Sequence, residues 1–180
     1  IISSSIDVSA SETIGTSALN FGINADTLTA SAGGDIAIDE ADAVAVTTIT
    51  STTGSVSLDA GGDITDGLTG DGVNVSGTTV SLASLTGAVG SATAPIVVTV
   101  SDTHGLTATS QTGVAITSST ALSVALVEAR AGDVSLSVLD GAADSQDITI
   151  DANQTVSATG SVTLTAGDAI SFAVGGVLNA

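Results

Sequence analysis

Short apolar alternations recur along this chain at a nearly constant interval. Ile36-Ala37-Ile38 is followed 20 residues later by Val56-Ser57-Leu58, and Val114-Ala115-Ile116 is followed 20 later by Val134-Ser135-Leu136. Val56 to Val75 gives 19 and Ile96 to Val114 gives 18. Alternation with period two marks a strand with one side turned inward. An interval near 20 residues that holds two or three such strands is what one turn of a parallel β-solenoid needs, because each coil must return above itself by about 4.8 Å, the distance between paired strands. Helical spacing is sustained nowhere. Ala121 to Ala131 has the fewest breakers, and Leu122, Val124 and Leu126 still alternate there.

Gly, Asp, Ser and Thr stand between the alternations. Thr53 to Ile64 reads T-G-S-V-S-L-D-A-G-G-D-I, and the phrase returns at Thr159 to Ile170 as T-G-S-V-T-L-T-A-G-D-A-I. Gly suits a corner that needs a positive φ. The Asp or Ser after it suits a turn, because its side chain bonds nearby backbone N–H groups. The phrase is therefore expected to be a corner of the solenoid rather than a glycine-rich ligand loop.

A longer period overlies this beat. Shifting the chain by 78 lays Leu28–Leu58 on Leu106–Leu136 without a gap, and 11 of the 31 positions are identical. Chance in so biased a composition gives about three. Further matches fall at a shift of 82 (Val80-Ser81-Leu82 on Val162-Thr163-Leu164) and of 75 (Ile14-Gly15 on Val89-Gly90). Residues 1–180 are thus expected to form a single solenoid segment. It would hold about two copies of a 78–82-residue repeat, near 14–92 and 93–172, and be a slice of a longer chain. Tandem β-sandwich repeats are the alternative for a period of this length. A sandwich would carry a core aromatic in each repeat, whereas Phe21 and Phe172 occupy no equivalent positions. The expected fold is all-β: a right-handed parallel β-helix of about eight or nine coils.

Composition narrows the function. The chain has no Lys, Cys, Met, Trp or Tyr, one Arg (Arg130), one His (His104) and a formal net charge of -18. A core of Val, Ile, Leu and Ala fills only a narrow space, which favours an elongated solid. Nucleic acid and anionic membranes need clustered cations, so neither is an expected partner. No apolar run approaches the roughly 20 residues of a membrane span, and no charged and apolar leader opens the sequence.

Ser57 to Asp66 (S-L-D-A-G-G-D-I-T-D), Ser161 to Ile170 and Ile38 to Val46 resemble repeats of the very large secreted bacterial β-helix proteins related to filamentous haemagglutinin-type adhesins. That resemblance covers most of the chain and implies a fibre-like protein, extracellular or at the cell surface. The family's N-terminal secretion module has no counterpart in these residues.

Three acidic groups are the candidate metal ligands: Asp59, Asp63, Asp66 and Asp71 in one Gly-rich stretch; Asp39, Glu40 and Asp42; and Asp140, Asp144, Asp147 and Asp151. Calcium takes six to eight oxygens, so carboxylates and corner carbonyls together suit it, although neither the EF-hand spacing nor the β-roll nonapeptide is present. The first group is the metal site to test. Arg130 is expected to pair with Glu128 or Asp133, and His104 to be a turn residue; Ser101 and Asp102 beside it do not make a hydrolytic triad, since no G-x-S-x-G elbow is present. The expected function is structural and non-catalytic, a stalk, fibre or adhesive surface. Its partners would be neighbouring repeats or copies of itself end to end. The alternative is a calcium-dependent carbohydrate-binding adhesin module that takes surface glycans.

Overall fold

The computed structural model describes residues 1–141 and 145–180. It is a parallel β-solenoid of about 8 turns with about 22 residues in each, and no helix occurs among the described residues. One sheet holds β1 (Ile2–Ala10), most of β2 (Phe21–Ala32), β4 (Val44–Ser51), β6 (Ile64–Asp66), β7 (Val75–Gly77), β9 (Ile96–Val100), β11 (Val114–Ser118), β13 (Val134–Val138) and β15 (Val162–Thr165). The other begins at the start of β2 and holds β3 (Ile36–Glu40), β5 (Val56–Ala60), β8 (Val80–Ser84), β10 (Leu106–Ser110), β12 (Leu122–Ala129), β14 (Ile148–Ala158), β16 (Ile170–Phe172) and β17 (Val177–Asn179). Every pairing between these strands is parallel, which a β-sandwich with its antiparallel sheets would not give.

The 20-residue interval is the plain coil: Val56 lies in register on Ile36, and Val134 on Val114. The mean is longer because some coils carry extra chain. Residues 67–74 separate β6 from β7, both of which pair with β4. The 19-residue step from Val56 to Val75 is therefore not a coil. Val56 pairs with Val80, and Val75 lies on Ile49 in the opposite sheet. Likewise Ile96 pairs with Ile116, while Val114 bridges to Val89.

Inward residues stack into continuous ladders. Val44, Ile64, Val89, Val114, Val134 and Val162 follow one another along the first sheet. Ile38, Leu58, Leu82, Ala108, Val127, Val156 and Leu178 do so along the second. Most of these side chains are fully buried in one core. β-Branched residues suit this role because their stiff side chains pack on a pleated surface. The strand over Ala121 to Ala131 is present, but its alternation changes phase. A register shift between Val124 and Leu126 turns Val127 inward and leaves Leu126 half-buried.

Residues 78 apart that match in sequence lie in opposite sheets. Leu28 is in the first and Leu106 in the second; Val46 and Val124 are divided in the same way, and Leu58 and Leu136 in the reverse sense. The reason is the coil count. Three coils carry β3 through β5 and β8 to β10, and β11, which matches β3, comes half a coil later.

The 75-residue match behaves alike. Gly15 and Gly90 each have φ of 67°, and each opens a short projection closed by an antiparallel bridge, Thr16 to Leu19 and Ser91 to Ala94. Ile14 bridges to Ile36 of the second sheet, and Val89 to Ile64 and Val114 of the first, so the two projections leave opposite sheets.

Candidate functional site

At the corners, aspartate joins one coil to the next. Asp35 Oδ1 accepts the N–H of Ser55 at 2.8 Å, Asp63 Oδ1 that of Ala88 at 2.7 Å, Asp133 Oδ1 that of Ser161 at 2.7 Å and Asp147 Oδ1 that of Ala169 at 3.0 Å. In the first three, a glycine precedes the donor because the carboxylate and the backbone of the coil beneath occupy the space its Cβ would need; at Gly54 that Cβ would stand 2.5 Å from both Asp35 Oδ1 and the Asp35 backbone nitrogen. A serine completes the joint. Ser51 Oγ donates to Gly34 O and accepts the N–H of Gly54, both at 2.8 Å, and Ser84 repeats this with Gly62 O and Gly87 N. Ser110, next in the stack, is buried with no partner for its hydroxyl among the described residues. The Gly87 carbonyl it would need already accepts the N–H groups of Gln111 and Thr112.

The four candidate calcium ligands sit in different surroundings. Asp63 makes the corner bond just described. Asp66 Oδ1 accepts the N–H of Leu68 at 2.9 Å and the Nδ2 of Asn74 at 2.6 Å. Asn74 is 0% exposed; it also donates to Val46 O at 2.9 Å and accepts the N–H of Val97 at 2.8 Å, so its buried amide is fully bonded. Asp71 is exposed in the 67–74 stretch, and Asp59 faces outward from β5 in the other sheet. No group of three or more His, Cys, Asp or Glu able to hold a metal ion occurs among the described residues.

The second acidic group also divides. Glu40 is buried, with its carboxylate accepting the N–H groups of Ala25 and Asp42, while Asp42 accepts from Asn24. In the third, Asp147 and Asp151 serve separate networks, and Asp144 lies outside the described residues.

Asp39 and Asp59 do come together, in register on β3 and β5. Asn20, from the first projection, donates its Nδ2 to Asp39 Oδ1 at 3.1 Å and Asp59 Oδ2 at 3.5 Å. Burial, and then the charge of Asp39, push the Asp59 carboxyl above its ordinary value, against the lowering effect of Asn20. A groove of about 480 Å³ runs from this pair past Ala83, Leu85 and Thr109 to Arg130. Arg130 is held by Glu128 at 3.5 Å, one of its two expected partners.

The raised Asp59 value sets the direction of a pH effect. The folded state holds the Asp59 proton more tightly than the unfolded chain does, so this pair's penalty is present above the folded value and is relieved as pH falls through it. Like charges directly opposite in a sheet cost about 0.2–1 kcal/mol. Asp59→Asn should therefore raise stability at neutral pH by an amount within that range, and the gain should shrink as pH falls through the raised Asp59 value. Paired thermal melts of the two proteins at neutral pH and below that value check this.

His104 has φ of 60° and sits in a turn, as expected from its sequence. Its partners come from the next two coils. Ser123 Oγ stands 2.8 Å from both carboxylate oxygens of Asp151 and accepts the backbone N–H of His104, whose Nδ1 is 3.6 Å from Asp151 Oδ2. A hydrolytic triad would require the hydroxyl to bond the imidazole. Here the hydroxyl is directed to the carboxylate, and the trio fixes the turn on the coil beneath. Nothing local to His104 signals this, because Ser123 and Asp151 are brought to it only by coil stacking. No family model, no curated protein and no solved structure matches this chain.

Proposed function

We propose that this chain is a non-catalytic structural segment of an extracellular repeat protein, a stalk, fibre or adhesive surface. The observation that carries this reading is the use made of its polar chemistry. The corner aspartates and serines bond the backbone of adjacent coils, and the Ser–Asp–His trio secures a turn. The apolar ladders run from coil to coil, so the segment extends by adding further coils or copies end to end.

The second reading, a calcium-dependent glycan-binding module, is favoured by one feature: the acidic groove at Asp39 and Asp59, with Arg130 at its far end. A glycan array probed with the purified chain, in calcium and in chelator, separates the two. The structural reading expects no retained glycan in either condition. Retention that chelator abolishes would replace it with the second.

A further inference from the structure

We propose that Asn153 is the acceptor of an N-linked glycan. Two triplets in this chain have the Asn-x-Ser/Thr form: Asn74-Val75-Ser76 and Asn153-Gln154-Thr155. In a chain so rich in Ser and Thr the triplet alone assigns nothing, and the structure separates the two. Asn74 is fully buried, and both hydrogens of its Nδ2 are engaged, by Val46 O and Asp66 Oδ1. That nitrogen is neither reachable nor free to react.

Asn153 is exposed and has no side-chain hydrogen bond among the described residues. It stands in a bend of β14, between Ile150, which pairs with Val124, and Thr155, which pairs with Leu126. Its φ is 59°, a left-handed conformation that Asn tolerates better than most residues. Gly175 in the next coil leaves its amide room, since a Cβ there would stand 2.5 Å from Asn153 Oδ1. A sugar here leaves from the bend where the register of β14 on β12 shifts, on an exposed stretch of the second sheet, and an acceptor triplet of an exported protein belongs at such a surface position.

The transfer forms a bond between Asn153 Nδ2 and the anomeric carbon of a glycosyl diphosphate donor. It breaks that carbon's bond to the phosphate oxygen and releases the diphosphate, and the amide nitrogen gives up one proton to the transferase. The inference rests on the extracellular reading for its setting, but the competence of the site does not.

The test uses the folded chain, a single-subunit oligosaccharyltransferase and its lipid-linked oligosaccharide, read by intact mass and peptide mapping. One glycan is expected, on Asn153, with none on Asn74. Asn153→Asp, which keeps the left-handed conformation accessible, and Thr155→Val, which keeps the β-branched shape, should each lose it while melting like the parent. Modification at Asn74, or a folded chain left unmodified under conditions that modify the denatured chain at Asn153, would overturn the proposal. Because the enzyme is supplied, failure here speaks to the site and not to where the protein resides.

Discussion

Shortening Leu82 to Ala should lower folding stability by about 2–5 kcal/mol. Leu82 is 0% exposed, in the ladder that runs from Ile38 to Leu178, with Leu58 on one side and Ala108 on the other. The opposite sheet cannot move in to fill the gap, because each of its strands is held in register by the coils on either side of it. The cavity therefore stays. Leu178→Ala removes the same atoms from the same ladder, but at a position 40% exposed and covered on one side only, and should cost less than about 1 kcal/mol. Urea unfolding midpoints of the two variants give the comparison. Equal losses would mean that stability is not carried by coil-to-coil burial.

Gly87→Ala should be nearly as damaging, at about 1–3 kcal/mol or more. The demand here is for space rather than for an unusual φ. A Cβ on Gly87 would stand 2.7 Å from the backbone nitrogen of Asp63 and 2.9 Å from its Cα, besides meeting its carboxylate. Removing the carboxylate therefore does not rescue the variant: Asp63→Ala with Gly87→Ala should remain destabilised, and Asp63→Ala alone should lose about 0.5–1.5 kcal/mol through the bond to Ala88. Gly70→Ala serves as the control, because nothing lies within 4 Å of its Cβ position, and it should change stability by no more than about 0.5 kcal/mol. Thermal melts of the four proteins suffice. Rescue of Gly87→Ala by Asp63→Ala would place the clash on the side chain alone.

The corners and plain coils were legible in the sequence because both are local. Thr53-Gly54-Ser55 turns and Val56-Ser57-Leu58 alternates within a few residues, and the 20-residue returns to Ile36 and from Val114 to Val134 coincide with the strand register. What was hidden depends on the third dimension. The insertion at 67–74 made Val75 look like the successor of Val56, although the two lie in different sheets. The phase change in β12 was invisible because Leu126 and Val127 are both apolar, and only the partner strand decides which turns inward. The candidate ligands show the same limit. Asp59, Asp63, Asp66 and Asp71 are near in sequence, yet it is Asp39, 20 residues away, that meets Asp59.

The half-coil offset between matched segments has a mechanical meaning. Any departure from straightness that one unit imposes, such as that from the projection at Gly15, would be imposed by the next unit from the opposite side, as at Gly90. Bends would cancel in pairs instead of accumulating into a superhelix. A rod reiterating this unit would stay straight over its length and show the same features, alternately, to both flanks.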